Sequence, residues 1–312
     1  MGGIILLLLG GRWLRSQQQN QATPTPPIAR TLGGVDGCRR GPQFTTTLGL
    51  SGQAAVGTSF LGVKGLALFD PAGNNGQGSF YQHPSWDEAG YLGPWLYDRR
   101  GHIYTAPVPL VSLVDNPTEE QNKLYQVDTS SQEMREYLAF DWPLPPSGAN
   151  PFGVVGLAYD CETESLYVTT LAGSTASQEV GRIYQVDLIT GQIFDQREGV
   201  DAMGVAVFNG RDGKRLYYGL TRRPEVHSIA LDAQGNFVGE SRLEFVLTDD
   251  EGSGRIVPRR IRFTDGPTMS LNLIQFSYSL QVVAERQETL LTYSYDPFAD
   301  SWSLISRQRV GG

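Results

Sequence analysis

The chain has 312 residues, which is long enough for one large domain or two ordinary ones. Its 33 acidic and 25 basic side chains give a net charge of −8, which argues against sequence-independent binding to a nucleic-acid backbone. Only two cysteines are present, which excludes a zinc site built from four cysteines and a disulfide-dense scaffold.

The chain begins with a short apolar run from Ile4 to Leu9, whereas a membrane-spanning helix needs about 20 apolar residues. The run suits the apolar part of a secretion signal, although no Lys or Arg precedes it and no Ala-x-Ala cleavage site follows. We predict an apolar leader or short membrane anchor at 1–15, a polar Pro/Gln-rich linker at 16–43 and a folded domain at 44–312. This order favours a secreted, periplasmic or cell-surface protein over a cytoplasmic one.

Four segments of the chain repeat a pattern of four short strands, and the third strand of each ends on an aspartate. The segments are 93–142, 153–198, 203–247 and 257–309, and their closing residues are Asp128, Asp187, Asp232 and Asp296. Self-similarity at this period in a strand-rich chain predicts an all-β fold, a β-propeller of four-stranded blades. Residues 44–82 hold further strand candidates, such as Phe60 to Phe69, so we expect five or six blades.

Two features near the first of these segments are candidates for binding. The loop from Ala106 to Asn122 is too long for a simple hairpin, and it is the feature most expected to serve a partner. Trp86, Tyr91 and Trp95 precede or enter the first strand, where aromatic rings can stack on a glycan or peptide at the mouth of the channel. Packing between blades also explains these rings, and it is the favoured interpretation.

The sequence Arg259-Arg260-Ile261-Arg262 is the basic cluster of the chain. A strand that presents alternate arginines to solvent is favoured over an anion site. Arg259 and Arg260 nevertheless remain candidate ligand-binding residues, because they begin the inner strand of the last blade, and ligands of propellers usually bind where inner strands begin.

Cys38 and Cys161 leave two alternatives open. Either they form one disulfide between the start of the domain and the blade at 153–198, as an oxidising compartment permits, or they are two unpaired thiols. The sequence alone does not show the Cα separation that a disulfide needs.

The blade motifs Gly156-Leu157-Ala158-Tyr159-Asp160, Leu166-Tyr167-Val168 and Ile183-Tyr184-Gln185-Val186-Asp187 are followed by Thr190-Gly191. This unit resembles a blade of the NHL, YVTN and senescence-marker (gluconolactonase-like) group of propellers, and the resemblance covers roughly 93–300. The motifs are structural, so they are specific for fold and weak for activity.

The resemblance implies a divalent metal in the channel, because gluconolactonase-like enzymes hold one with Glu, Asn and Asp ligands. Glu88, Asn150 and Asp201 would fill these roles, and an all-oxygen set suits calcium, magnesium or manganese, which would polarise a carbonyl group and activate water. The chain departs from the family pattern, since Glu88-Ala89-Gly90 replaces Glu-Gly-Pro. Asn and Asp are also common in the turns that lead into strands, and this interpretation is favoured.

Other catalytic and nucleotide-binding sets find no support, because no Gly-x-Ser-x-Gly, Gly-x-Gly-x-x-Gly or Walker motif occurs. The first hypothesis is therefore a monomeric, non-enzymatic, extracytoplasmic β-propeller that binds a protein or carbohydrate partner and no nucleic acid. The alternative is a gluconolactonase-like, metal-dependent lactonase or hydrolase with its site at the mouth of the channel.

Overall fold

The computed structural model of the chain describes residues 31–58, 60, 63–109, 112–247, 256–264, 266–279 and 288–310. Residues Thr31–Gly312 belong to one compact unit. The predicted leader at 1–15 and residues 16–30 of the predicted linker lie outside the described residues. No helix of the described part is long and apolar enough to cross a membrane.

Twenty strands form five antiparallel sheets in the described part of the chain. In chain order they are β1 (Gly33–Gly34), β2 (Ala55–Gly57), β3 (Ala67–Asp70), β4 (Ser79–Tyr81), β5 (Leu92–Tyr97), β6 (Ile103–Pro107), β7 (Lys123–Val127), β8 (Met134–Ala139), β9 (Val154–Asp160), β10 (Ser165–Thr170), β11 (Arg182–Asp187), β12 (Gln192–Glu198), β13 (Ala202–Gly210), β14 (Gly213–Leu220), β15 (Glu225–Leu231), β16 (Phe237–Val246), β17 (Ile256–Phe263), β18 (Thr268–Gln275), β19 (Glu288–Asp296) and β20 (Ser301–Val310). Four short helical segments lie between them: α1 (Phe44–Thr47), α2 (Gly73–Gly76) and 3₁₀ turns at Pro84–Asp87 and Thr118–Glu120.

The five sheets are the blades of a β-propeller. Blades two to five contain β5–β8, β9–β12, β13–β16 and β17–β20, each with its strands in consecutive order, and blade one contains β2–β4. The prediction of an all-β propeller is confirmed, with four-stranded blades two to five and three described strands in blade one. The described residues contain five blades, the lower of the two expected numbers. The strand candidate from Phe60 to Phe69 is a strand only from Ala67 onward among its described residues.

The repeated aspartate ends the third strand of a blade because it caps the turn that follows. Asp128 accepts hydrogen bonds from the backbone N–H groups two and three positions ahead, both at 2.8 Å. Asp187, Asp232 and Asp296 accept N–H groups two to four positions ahead in the same way. These short-range bonds satisfy backbone donors that the turn removes from the strand ladder. The aspartate that recurs in the sequence therefore caps the hairpin between the third and fourth strands of each blade.

The inner strands β9, β13 and β17 approach one another closely because glycines lie between them. A Cβ atom added to Gly156 of β9 would lie 2.1 Å from the Met203 carbonyl oxygen of β13. One added to Gly204 of β13 would lie 2.6 Å from the Pro258 carbonyl oxygen of β17. Close approach of two backbones requires the absence of a side chain at such positions.

The inner strands of blades two to five, β5, β9, β13 and β17, each contain a β-bulge near their first residues. The strand register shifts between Leu92 and Trp95 in β5, opposite Thr169 and Thr170 in β9, between Ala202 and Val205 in β13, and between Pro258 and Arg260 in β17. A bulge adds a residue to one strand and re-aims the side chains around it. The bulges therefore determine which side chains face the centre of the ring where the inner strands begin.

Residues 31–43 pack on the propeller, so the compact unit begins before the predicted domain start at residue 44. Strand β1 adds to the inner edge of blade four by pairing with β13. Further along the chain, the Arg40 N–H donates to the Asp98 carbonyl oxygen at 3.1 Å, and the Gln43 N–H donates to Thr129 Oγ1 at 2.8 Å. The structure therefore assigns residues 31–43 to the propeller unit rather than to the linker.

A disulfide joins Cys38 of this N-terminal segment to Cys161 of blade three, with the two Cα atoms 5.9 Å apart. Of the two alternatives that the sequence left open, the structure contains the bridge. The described residues contain no free cysteine. The disulfide fixes residues 31–43 against the turns that follow the inner strands, because Cys161 directly follows β9.

Candidate functional site in the central channel

A cavity of about 1480 Å³ occupies the centre of the ring, with β5, β9, β13 and β17 as its wall. At the end where the inner strands finish, the cavity is bordered by three residues of the N-terminal segment, Asp36, Arg39 and Gly41. We call these three residues the floor. At the other end the cavity is bordered by Val108–Leu113, as far as these residues are described, and by 274–279. We call this second end the mouth, since it holds the loops that lead into the inner strands.

The charge on the wall of the cavity is strongly positive, although the whole chain is acidic. Among the described lining residues, the ionisable side chains are Asp36, Arg39, Arg259, Arg260 and Arg262, besides tyrosines. Asp36 forms an ion pair with Arg39 at 2.7 Å, and Arg259 forms one with Glu288 at 3.0 Å. Among the residues that line the cavity, Arg260 and Arg262 have no ion-pair partner in the described part of the chain.

The Arg260 guanidinium has an unfavourable environment. Burial lowers its pKa, and so do the neighbouring charges of Arg259 and Arg262, which outweigh the opposite effect of Glu288. Its side chain is nevertheless accessible to solvent, because it lies on the wall of an open cavity. The sequence interpretation of alternate arginines facing solvent is therefore correct only in part, since the solvent that Arg260 and Arg262 face is inside the channel.

The long loop between β6 and β7 reaches the mouth, as far as it is described. Asn116 anchors it: its Oδ1 atom accepts the Tyr91 N–H at 2.8 Å, and its Nδ2 atom donates to the carbonyl oxygens of Ala89 and Tyr91. Leu113 lines the cavity and is 47% exposed, and Val114 is 93% exposed. The loop therefore presents two exposed apolar side chains beside the mouth.

The three predicted aromatic residues have different environments. Trp86 is fully buried, and its indole N–H donates to the Gln132 carbonyl oxygen at 2.7 Å, so its ring packs in the core and not at the mouth in this structure. Tyr91 is half-buried, and its backbone is held by the long loop. Trp95 lines the cavity with its ring 5.2 Å from that of Tyr97. Burial raises the pKa of Tyr97 to about 12, so its hydroxyl group stays protonated at neutral pH.

Asp201, a predicted metal ligand, is fully buried and already accepts four hydrogen bonds. Its Oδ1 atom accepts the Ser174 hydroxyl group and the Gly181 N–H, and its Oδ2 atom accepts the Tyr278 hydroxyl group and Arg222 Nε at 2.9 Å. The Arg222 guanidinium also lies over the Tyr278 ring, 5.2 Å from its centroid. An arginine in direct contact neutralises this carboxylate, so Asp201 joins the loops of three blades and does not fit a metal site.

The other two predicted metal ligands do not complete a site either. Asn150 donates to the carbonyl oxygens of Leu171 and Ser174, both at 2.7 Å, and its Oδ1 atom accepts the Phe152 N–H at 2.9 Å. Its side chain thus holds the turn before β9, as the favoured interpretation predicted. Glu88 is exposed after the 3₁₀ turn at Pro84–Asp87. No group of three or more His, Cys, Asp or Glu side chains in the described residues can hold a metal ion.

Sequence reasoning missed Arg262 and the floor. Arg262 lies two residues after Arg260 in β17, and alternation along a strand places the two on one face. The spacing of two residues between these arginines was therefore a signal present in the sequence. The floor carries no comparable signal, because Asp36, Arg39 and Gly41 belong to an irregular segment whose position depends on long-range contacts.

No family model and no curated protein sequence matches the chain. Solved structures are similar to the chain at low identity, among them the following three. A chain of the nidogen/laminin complex has a TM-score of 0.43 and 9% identity, over 78% of this chain and 89% of that one. A hypothetical selenium-binding protein from Sulfolobus tokodaii has a TM-score of 0.41 and 12% identity, over 79% and 73%. Hydrazine synthase from Kuenenia stuttgartiensis has a TM-score of 0.35 and 11% identity, over 65% and 68%.

These likenesses are too distant to carry information on the ligand or chemistry of this chain. The assignment of the β-propeller fold rests on the strand pairing of the five blades. The resemblance to the NHL, YVTN and gluconolactonase-like group stays an expectation, since no family model supports it.

Proposed function

We propose that this chain is an extracytoplasmic, non-enzymatic β-propeller that binds a protein or carbohydrate partner at the mouth of its central channel. The observation that carries the proposal is the cavity of about 1480 Å³, which opens between the long loop and residues 274–279. A concave site of this size at the centre of a propeller is where ligands of the fold usually bind.

Two further features support a partner at the mouth. Leu113 and Val114 are exposed apolar side chains on a loop whose base is fixed by Asn116. Loops that present apolar groups beside a recess are suited to recognition. The mouth therefore combines a recess with exposed apolar side chains at its rim.

The location outside the cytoplasm is supported by the Cys38–Cys161 disulfide and by the apolar leader of the sequence. Structural disulfides persist in oxidising compartments and are rare in the cytosol. The gluconolactonase-like alternative has no comparable support, because the polar atoms of Asn150 and Asp201 are committed to hydrogen bonds that hold loops.

A steric block tests the proposed site. The full chain is immobilised and probed with a panel of neutral and acidic oligosaccharides and of peptides, and the ligands that bind are then measured with Ser277→Trp. Ser277 lines the mouth and is exposed, so an indole there narrows the opening without disturbing the core. Ser303→Trp is the matched control, because Ser303 is exposed on the outer strand β20. We expect Ser277→Trp alone to abolish binding, and equal binding by both variants would contradict a site at the mouth.

A further inference from the structure

Arg260 and Arg262 are two positive charges on the wall of the channel that no described acidic side chain pairs with. Asp36 forms an ion pair with Arg39, and Glu288 forms one with Arg259. The described residues thus leave both guanidinium groups without an anionic partner. Two like charges held close together on a partly desolvated wall repel each other, which costs folding free energy.

Such a cost is typical of a binding site, since residues that weaken the fold are retained where a ligand compensates them. Guanidinium groups match carboxylates and sulfates in geometry, because their donors are planar and paired. The chain carries a net charge of −8, so its overall field repels anions. Attraction of an anion must therefore be local to the channel.

The wall of the channel also limits which class of anionic ligand can bind. An extended peptide binds most readily by adding a strand to a regular sheet edge. Here β1 already covers part of the inner edge of β13, and bulges break the register of β5, β9, β13 and β17 near the mouth. Recognition must therefore come from side chains rather than from a backbone ladder.

The side chains available are aromatic rings and hydroxyl groups beside the arginines. Trp95 and Tyr97 line the cavity with their rings, and Ser112, Ser277 and Ser279 offer hydroxyl groups at the mouth. This combination suits the apolar faces and the hydroxyl edges of sugar rings. We propose that the central channel binds an acidic oligosaccharide, whose carboxylate or sulfate group pairs with Arg260 and Arg262. This inference rests on the proposed function and names the ligand class of the same site.

Calorimetric titration of the full chain tests the inference with three probes: trigalacturonate as the acidic saccharide, maltotriose as the neutral one and triglutamate as the acidic peptide. We expect trigalacturonate to bind and maltotriose to bind at least tenfold more weakly. Arg260→Gln and Arg262→Gln should each weaken trigalacturonate binding about 10- to 100-fold, as expected for loss of a hydrogen bond between charged groups. Binding should also weaken as salt is raised.

The matched control is Arg135→Gln, which removes the same charge from the exposed outer strand β8 and should leave binding unchanged. Failure of trigalacturonate to bind, or equal affinity of the wild type and both channel variants, would overturn the inference. Tighter binding of triglutamate with the same arginine dependence would overturn the saccharide class. Binding that Ser277→Trp abolishes and the arginine variants leave intact would refute the anion site while the proposed function stands.

A measurement without ligand completes the test. If Arg260 is retained for binding, its replacement should raise the melting temperature, because repulsion from Arg259 and Arg262 and the desolvation of its charge are both relieved. Arg135→Gln should leave the melting temperature unchanged. A lower melting temperature for Arg260→Gln than for the wild type would show that Arg260 stabilises the fold, and would contradict the reasoning above.

Discussion

Removal of the Cys38–Cys161 disulfide tests how the floor of the channel is held. The bridge closes a loop with a sequence separation of 123 residues, for which the loss of unfolded-chain entropy corresponds to about 4.9 kcal/mol at 25 °C. The floor keeps other contacts, namely the pairing of β1 with β13 and the hydrogen bonds of the Arg40 and Gln43 N–H groups. The native fold should therefore persist without the bridge. We expect the Cys38→Ala/Cys161→Ala double variant to lose about 2–5 kcal/mol of unfolding free energy.

Equilibrium urea denaturation of the full chain measures this loss, with tryptophan fluorescence and circular dichroism as independent probes of unfolding. Wild-type protein in a thiol reductant should unfold at the same urea concentration as the double variant. The reductant should have no effect on the double variant itself. Equal unfolding free energies for the oxidised wild type and the double variant would refute the view that the bridge restricts the unfolded chain.

Three further predictions concern residues outside the channel. Trp86→Ala should lower the unfolding free energy by about 3–5 kcal/mol because the indole is fully buried, and calorimetry should show unchanged ligand binding. Asp201→Ala should cost about 3–5 kcal/mol because it removes the buried carboxylate that lies 2.9 Å from Arg222 and leaves this arginine only the more distant Glu179, at 3.7 Å, as a described ion-pair partner; Asp201→Asn should cost less. Equal losses in urea denaturation would contradict this. The pKa of Asp128 is lowered mainly by a backbone hydrogen bond and that of Asp232 mainly by an asparagine side chain. Their stabilisation is present above the unfolded pKa of about 3.9 and is lost as the pH falls through the folded values. An acid unfolding curve unchanged in Asp128→Asn/Asp232→Asn would disprove the contribution of these two carboxylates.

The blades were predictable because their signal is local. Each repeated aspartate bonds to N–H groups within four positions of itself, so the turn and its capping residue are adjacent in the sequence. The alternation of apolar and polar residues along each strand is an equally local signal. Four blades could therefore be delimited to within a few residues, including the hairpin at Thr190-Gly191, where Gly191 has a φ of +72°.

The floor and the environments of the aromatic residues were not predictable, because they depend on contacts between distant parts of the chain. Gly33 pairs with Asn209, and the intervening sequence contains nothing that specifies this pairing. The environment of Trp86 was not predictable for a related reason. A tryptophan before a strand can face the mouth or the core, and the choice depends on which backbone group its indole N–H reaches, here the Gln132 carbonyl oxygen.

Three buried carboxylates of this protein have basic partners, and this contrast makes Arg260 and Arg262 significant. Asp98, Asp160 and Asp201 are fully buried, and each contacts a basic side chain, at 3.1, 2.6 and 2.9 Å respectively. A fold that pairs these charges has the means to neutralise β17 as well, as the ion pair of the adjacent Arg259 with Glu288 shows. Arg260 and Arg262 have no acidic partner among the described residues, and they lie on the wall of a cavity. An anionic group that enters the channel from the mouth would supply this partner.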